Sequence, residues 1–205
     1  MGGGSKGVLI GIEGIDAVGK RTQTSILSSW LRSKGYTINA ISFPDYGTTL
    51  GGEIKRFLLG GRTYPAEVRH MLFAANRWEK KDELELMLSK PGLVIVNRYS
   101  ESNLAYGVAN GLKLEWLVNL ETGLPKPDAV IVLDAPPSAL RSRRGIGMDK
   151  YEQNVGLQER TREAYLRLAG DFGWKVIDAT GGIEATGQVL VNTVSNLLKT
   201  AGRTV

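Results

Sequence analysis

The sequence predicts an α/β fold in which a parallel sheet is covered by helices on both faces. Four short apolar runs have the length and composition of buried parallel strands, and a fifth run is more mixed. In chain order, the runs are GVLIGI, YTINAISF, GLVIVN, DAVIVLD and WKVIDA. Helical patterns separate them, and strands that alternate with helices form parallel sheets because each crossover needs a covering helix.

The helical segments have recognisable ends. RTQTSILSSWLRSKG finishes with Lys34 and Gly35, which are typical of a helix C-terminus. The segment that opens at Pro65 and closes at Pro91 predicts one long helix. Two later segments, QNVGLQERTREAYLRLAGDFG and GIEATGQVLVNTVSNLLKTAG, flank the last strand. No linker or repeat divides residues 7–205, so we predict a single domain that follows a flexible glycine-rich leader, residues 1–6.

Composition narrows the classes of function. The chain has 205 residues, of which 42% are hydrophobic, enough to bury the core of one domain. It has no Cys, which excludes disulfides and thiolate metal sites and favours a reducing compartment, so we expect a cytoplasmic protein. The net charge of +5 is modest, and no basic stripe or membrane-length apolar run is present. We therefore expect neither nucleic acid nor a membrane as a partner.

The turn after the first strand has the layout of a phosphate-binding P-loop. GIDAVGKRT matches G-x-x-x-x-G-K-[ST] at Gly14, Gly19 and Lys20, but Arg21 replaces the hydroxyl residue that usually ligates the metal. Glycines let amide groups face phosphate oxygens, and Lys20 adds charge at a helix N-terminus. Arg21 is expected to point outward because a cation repels Mg²⁺. The predicted ATP-binding residues are Gly14, Ile15, Asp16, Ala17, Val18, Gly19, Lys20, Arg21 and Thr22.

Polar residues also follow the LVIV strand, at the edge where open α/β sheets bind ligands. Arg98 is suited to fork onto a phosphate. Ser102, Asn103 and Tyr106 share one face if the following segment is helical. The alternative interpretation is that these polar side chains only face solvent in the loop after the strand.

Two phenylalanines are candidates for binding a flat base. Phe43 and Phe73 would sandwich it, with Arg77 one helical turn beyond Phe73. Ordinary core packing of both rings is the alternative, and it is the commoner fate of buried aromatics. His70, the single histidine, is interpreted as a surface or packing residue rather than a catalyst.

A basic segment follows the fourth strand. Arg141, Arg143 and Arg144 lie next to Gly145 and Gly147, which suits a short lid, about residues 141–150, that closes over phosphates. Arginine donors aimed at a transferring phosphoryl group are a main catalytic device of such chemistry. A solvated positive helix end is the alternative.

Together, these motifs resemble thymidylate kinases, of the P-loop nucleoside-monophosphate kinase family. EGID, FPDYG, NRYSESNLAYG, GLPKPDAVIVLD and YEQNVGLQERTREAY follow the family's order over most of the chain. The resemblance implies a three-layer P-loop kinase fold with a five-stranded parallel sheet flanked by helices. It also implies a homodimer that transfers the γ-phosphoryl group of ATP to dTMP, giving ADP and dTDP, with Mg²⁺ as cofactor.

The resemblance also implies roles for individual residues. Phe73 stacks on thymine, Tyr106 packs under the deoxyribose, and Arg77 with Asn103 bonds the base. Tyr46 and Arg98 hold the dTMP phosphate. The implied dTMP-binding residues are Asp16, Phe43, Tyr46, Phe73, Arg77, Arg98, Ser102, Asn103 and Tyr106. The implied catalytic residues are Asp16, Lys20, Arg98, Arg141 and Arg144, and the implied metal ligands are Asp16 and Glu152.

The chain departs from the family pattern at several positions. Ala17 stands where some members have an arginine, so the lid arginines are expected to supply the catalytic cation. Asn97 replaces the familiar aspartate before Arg98 and brings no negative charge to the metal region. Asp45 would weaken phosphate binding if it pointed inward.

Three other functions remain open. A deoxynucleoside kinase would need a carboxylate base near the 5′-hydroxyl, whereas Arg98 and Tyr46 suit an existing phosphate. A degenerate P-loop protein would bind nucleotide without turnover, which Arg21 and Asn97 support. A basic P-loop ATPase acting on nucleic acid would use Asp134, which ends a strand.

Overall fold

A five-stranded parallel sheet forms the centre of the molecule. The computed structural model describes residues 6–143 and 149–200. The strands are β1 (Val8–Glu13), β2 (Ile38–Ser42), β3 (Leu93–Asn97), β4 (Ala129–Asp134) and β5 (Lys175–Asp178). They lie in the order β2-β3-β1-β4-β5, and every neighbouring pair is parallel. The predicted α/β class and all five predicted strands are confirmed.

Helices connect and cover the strands. They are α1 (Lys20–Ser33), α2 (Thr49–Leu58), α3 (Ala66–Trp78), α4 (Lys81–Leu88), α5 (Ser100–Ala109), α6 (Leu114–Glu121), α7 (Lys150–Gln153), α8 (Val155–Phe172) and α9 (Ile183–Thr200). A 3₁₀-helix, Pro137–Arg143, follows β4. In the described part of the chain, none of these helices is long and apolar enough to cross a membrane.

Both faces of the central strands are buried. In β1 and β3, successive side chains alternate between two apolar clusters, as the period of a strand requires. Leu9, Val94 and Val96 belong to the smaller cluster, whereas Ile10 and Ile95 belong to the larger one. This explains why these strands read as continuous apolar runs rather than as alternating patterns.

The single long helix predicted from Pro65 to Pro91 is wrong. The chain turns at Lys80, between α3 and α4. Glu79 accepts a hydrogen bond of 2.7 Å from the Thr48 hydroxyl, which ties the end of α3 to the start of α2. After the turn, Leu84 and Leu88 of α4 pack in the smaller apolar cluster with β3. Burial of these side chains stabilises the break, although local propensity favours a continuous helix.

Candidate active site

A cavity of about 860 Å³ opens near the carboxyl ends of β1 and β3. That is the edge at which open α/β sheets bind ligands, and the volume is typical of small-molecule sites. Predicted site residues that line it are Asp16, Ala17, Val18, Gly19, Lys20, Arg21, Thr22, Phe43, Tyr46, Phe73, Arg77, Arg98, Ser102, Asn103, Tyr106 and Glu152. The fold therefore brings the P-loop and the acceptor-site motifs to one cavity.

The P-loop conformation depends on glycine at two positions. Gly14 has φ of 133°, and a Cβ placed there would lie 2.4 Å from the carbonyl oxygen of Leu133. Gly19 has φ of 100° and is the residue before α1. The left-handed region is accessible to glycine at little cost, so the loop can turn tightly into the N-terminus of α1.

Lys20 lies in this loop with its ammonium group buried. Its Nζ donates to the carbonyl oxygens of Gly14 and Ile15, at 3.0 Å and 2.7 Å. Burial, and then the nearby charge of Arg98, lowers the pKa of Lys20 to about 7. An anion bound in the loop would favour the charged ammonium form.

Asp16 is held by three side chains. Its carboxylate pairs with Arg98 and accepts hydrogen bonds from Tyr106 Oη at 2.8 Å and Gln158 Nε2 at 2.7 Å. Burial alone would raise the pKa of Asp16, but Arg98 and Lys20 together with these hydrogen bonds hold it below its ordinary value. The carboxylate is therefore ionised at neutral pH.

Gln158 of α8 holds both the backbone and the side chain of Asp16. Its Oε1 accepts from the amide of Asp16 at 3.0 Å, while Nε2 donates to the Asp16 carboxylate. The same Nε2 donates to the carbonyl oxygen of Tyr151 in α7, at 2.8 Å. This fully buried amide joins the P-loop to α7, and it was missing from the sequence-based site.

Arg98 adopts an unusual backbone conformation directly after β3. Its φ of 61° lies in the left-handed region, which costs a non-glycine residue about 1–2 kcal/mol. Its amide bonds the carbonyl oxygen of Ile12 at 3.1 Å, and Nη1 bonds that of Gly14 at 3.3 Å. The guanidinium lies over the ring of Tyr106, at 5.4 Å. These contacts fix the cation beside the P-loop.

Ser102 reaches the cavity from α5, and its hydroxyl bonds a buried carboxylate. Ser102 Oγ donates to Glu13 Oε2 at 2.6 Å, and Tyr165 Oη donates to the same oxygen at 2.7 Å. The amide of Tyr99 donates to the other oxygen at 2.6 Å. Glu13 thus anchors the start of α5 to β1. In the sequence, the only indication of this role is that Glu13 stands at the end of an apolar run.

The two phenylalanines have different surroundings. Phe43 is buried in the smaller apolar cluster and packs against Tyr99, with ring centroids 5.9 Å apart. Phe73 is partly buried in the larger cluster, with Tyr151 at 6.2 Å and His70 at 5.9 Å. Both line the cavity. His70 is completely buried, so the packing interpretation describes it better than the surface one.

Arg77 is paired inside the protein. Its Nε donates to Glu121 Oε2 at 2.8 Å, and its Nη2 pairs with the other carboxylate oxygen. Asn103 Nδ2 donates to Glu121 Oε1 at 2.6 Å. Glu121 ends α6 and was missing from the sequence-based site, because its link to Arg77 spans 44 positions of the chain.

Asp45 does not enter the cavity. Its carboxylate pairs with Lys80 at 3.2 Å and accepts from the amide of Gly47 at 2.9 Å. Asn76 fixes the loop, since its Oδ1 accepts from the amide of Asp45 at 2.8 Å. The adjacent Tyr46 lines the cavity, so Asp45 does not oppose phosphate there.

The predicted metal region of the cavity includes Glu152 and Asn97. Glu152 lines the cavity and caps α7 through the amide of Asp149, at 3.2 Å. Burial and the charge of Asp149 raise the pKa of Glu152. Asn97 Oδ1 is buried and, among the described residues, has no hydrogen-bond partner. In residues 6–143 and 149–200, no group of three or more His, Asp or Glu residues is placed to hold a metal ion.

Arg21 and Thr22 are exposed at the cavity, in keeping with an outward-pointing Arg21. Arg144 and the neighbouring residues 145–148 of the predicted lid lie outside the described residues, and the side chain of Arg141 does too.

The far end of the cavity was not predicted. Gly182, Ile183 and Thr186, after β5, line it on the P-loop side. Gln23 of α1 holds this loop, because its Nε2 donates to the carbonyl oxygen of Ile183 at 2.9 Å. The sequence could have indicated this loop only by its position, because it too follows a parallel strand and so lies at the edge of the sheet that binds ligands.

Comparison with known proteins agrees with this geometry. Thymidylate kinase of Arabidopsis thaliana is 37% identical over 95% of this chain and 73% of its own length. That of Plasmodium falciparum is 35% identical over 94% of this chain and 91% of its own. The thymidylate kinase structure from Candida albicans superposes with a TM-score of 0.80 at 29% identity and covers 94% of both chains. Residues 12–189 match the thymidylate kinase family, and the chain belongs to that family.

Proposed function

We propose that this chain transfers the γ-phosphoryl group of ATP to dTMP, giving ADP and dTDP. One observation carries the proposal. The P-loop, the cation of Arg98 and the acceptor motif of α5 border one continuous cavity, so two nucleotides can meet end to end there. The similar proteins of a plant, a protist and a fungus are thymidylate kinases, which supports the same reaction for this chain.

The cavity divides into a donor side and an acceptor side around the P-loop. Lys20 and the amides at the start of α1 bind the ATP phosphates. The nucleoside of ATP extends toward Ile183 and Thr186, the residues that line the cavity next to α1. On the other side, Tyr46 and Arg98 bind the dTMP phosphate.

The base and sugar of dTMP contact α3 and α5. Phe73 offers a partly buried ring for stacking. Arg77 and Asn103 line the same end and offer polar atoms. Tyr106, held by its hydrogen bond to Asp16, packs against the deoxyribose.

The chemistry is mainly charge neutralisation and alignment. Both substrates are anionic, and the acceptor phosphate is already nucleophilic at neutral pH, so no strong general base is required. Lys20 and Arg98 neutralise charge at the point where the phosphate chain of ATP meets the single phosphate of dTMP, and the lid arginines Arg141 and Arg144 are proposed to complete the set. Arg98 is preorganised by its pairing with Asp16.

The residues present fit a magnesium ion that is bound chiefly by the nucleotide. Asp16 and Glu152 supply carboxylates at the cavity, and Asn97 Oδ1 is a buried acceptor without a protein partner in the described structure. Mg²⁺ takes oxygen ligands and keeps several waters, so few protein ligands suffice. When bound, the ion would supply positive charge that reduces the repulsion between the phosphate groups.

One assay tests the proposed function. ATP is mixed with dTMP, dUMP, dCMP or thymidine, with and without Mg²⁺, and ADP release is followed. We expect turnover with dTMP and little with thymidine. Preference for thymidine would indicate a deoxynucleoside kinase, and nucleotide binding without ADP would indicate a degenerate P-loop protein. Lys20→Met is the negative control.

We also propose that the chain is a cytoplasmic homodimer, formed from domains of residues 7–205. Met71 and Trp78 of α3 and Val118 of α6 are exposed apolar side chains on two helices that pack together. Such a face suits self-association. Light scattering coupled to size exclusion should give twice the chain mass of 22.3 kDa.

A further inference from the structure

A buried polar network lies behind the base end of the cavity. Its members come from α3, α5 and α6, and all are fully or nearly buried. The carboxylate of Glu121 accepts from Arg77 and from Asn103, as described above. His70 bonds Asn103 through Nδ1, with 2.6 Å between Nδ1 and Oδ1. Buried networks of this kind hold their members in one arrangement when every polar atom is satisfied.

The partners of Asn103 fix the direction of its amide. Nδ2 lies 2.6 Å from Glu121 Oε1 and 3.2 Å from the carbonyl oxygen of His70. A carboxylate and a carbonyl only accept hydrogen bonds, so Nδ2 is the atom that must face them. Oδ1 therefore faces His70.

The same reasoning fixes the tautomer of His70. Because Oδ1 of Asn103 only accepts, His70 Nδ1 must carry the proton and donate it. Nε2 is then the acceptor, and Asn110 Nδ2 lies 3.1 Å from it. Asn110 Nδ2 also donates to the carbonyl oxygen of Tyr106 at 2.8 Å, which is consistent with this direction. Burial lowers the pKa of His70 to about 4, so the ring is neutral at physiological pH.

The network leaves a defined pattern of polar atoms for the base. Arg77 uses Nε and Nη2 on Glu121, and within the described residues Nη1 has no partner. Asn103 Oδ1 has one described partner, so its second lone pair is available. A donor and an acceptor thus stand on the cavity wall, and these match the 4-keto oxygen and the N3–H of thymine. Cytosine presents the reverse pattern, a 4-amino donor beside an N3 acceptor.

We propose that His70 and Glu121 are specificity-positioning residues: they fix the hydrogen-bond direction of Asn103 and Arg77 and so select 4-keto over 4-amino pyrimidines. The inference rests on the proposed function, because it concerns the acceptor base of that reaction. If His70 no longer donated, the Asn103 amide would lose the partner that holds Oδ1, and a flipped amide would offer cytosine a donor. Glu121 disfavours the same flip from the other side, because a flipped Oδ1 would face its carboxylate, so each residue contributes part of the preference.

A matched pair of variants tests the kinetic consequence. Asn at position 70 keeps a donor nitrogen at the bond position of Nδ1, whereas Leu has nearly the same shape without a donor. His70→Leu should reduce the ratio of kcat/KM for dTMP to that for dCMP by roughly tenfold, with KM changing more than kcat. His70→Asn should retain most of the preference. Equal ratios in both variants and the parent would overturn the proposal.

A second measurement needs no substitution. The chain has one histidine, so nitrogen-15 spectra of the untagged protein assign His70 without ambiguity. We expect the neutral Nδ1–H tautomer from pH 5 to 8. The Nε2–H tautomer would overturn the inference even if the variants fail to fold. A parent chain that turns over no dTMP would instead contradict the proposed function, a result that the tautomer does not affect.

Discussion

Replacing Glu101 should change how the stability of this protein depends on pH. Glu101 lies in α5 and is only 7% exposed. Its Oε1 accepts from the Ser100 hydroxyl at 3.1 Å, whereas Oε2 is buried with no partner among the described residues. Burial, and then the charge of Glu13, raises the pKa of Glu101 from 4.5 to about 8. The folded protein therefore holds a proton that the unfolded chain releases above pH 4.5.

The size of the effect follows from this difference in pKa. Between the unfolded and folded values, stability falls as pH rises, by about 1.4 kcal/mol per unit for one proton. From pH 4.5 to pH 7, the loss is roughly 3 kcal/mol. Glu101→Gln has the same shape but cannot ionise. The free energy of unfolding of the variant should therefore rise by that amount relative to the parent over this range.

Urea denaturation at pH 4.5, 5.5 and 7 measures the difference. Burying the amide of the Glu101→Gln variant has a cost that does not depend on pH. This cost cancels, because the test compares only how the stability difference changes with pH. Glu184→Gln, at an exposed position of α9, should follow the parent within about 0.5 kcal/mol. A Glu101→Gln difference that stays flat across the range would refute the view that Glu101 is buried and protonated.

Three further predictions concern the P-loop. Lys20→Met should lower kcat about a hundredfold or more while dTMP binding by calorimetry is retained, because Lys20 is proposed to act on the phosphates of ATP; equal losses of both would argue against that role. Gly14→Ala should destabilise the fold by about 2–4 kcal/mol, since its Cβ would lie 2.4 Å from the Leu133 carbonyl, and thermal melting should show it. Gln158→Leu should lower kcat by roughly tenfold with a smaller change in dTMP affinity, because Asp16 loses two hydrogen bonds. Gln188→Leu, on the exposed side of α9, is its control and should match the parent, whereas similar losses in both variants would contradict the role of Gln158.

The strands were predictable because their signals are local. Each is a short apolar run bounded by turn residues, and in β1, β3 and β4 burial on both faces removes the alternation that a half-exposed strand would show. The break between α3 and α4 was not predictable, because helix propensity continues through Lys80. Tertiary contacts stabilise it, namely the burial of Leu84 and Leu88 and the hydrogen bond between Thr48 and Glu79, and the sequence alone does not reveal them.

The site divides in the same way. Lys20, Arg98 and Tyr106 belong to motifs that follow strand ends, so they can be recognised in the sequence. The parallel sheet then places these motifs at one edge, where they line the same cavity. Gln158 and Glu121 touch the site only through tertiary structure. Gln158, for example, is 142 positions from the Asp16 that it holds. A polar residue in an amphipathic helix carries no local signal that shows whether its side chain is buried against a partner or faces solvent.

The two halves of the cavity use amide side chains for one physical reason. Gln158 orients the charged Asp16 beside the P-loop, and Asn103 bonds the carboxylate that pairs with Arg77 at the end of the cavity formed by α3 and α5. An amide carries a donor and an acceptor but no net charge, so it fixes the direction of a charged neighbour without neutralising it. A carboxylate or ammonium at either position would instead shift the charge balance that phosphoryl transfer depends on. The amides therefore hold the charged groups in place without changing the amount of charge in the cavity, which is what electrostatic catalysis requires.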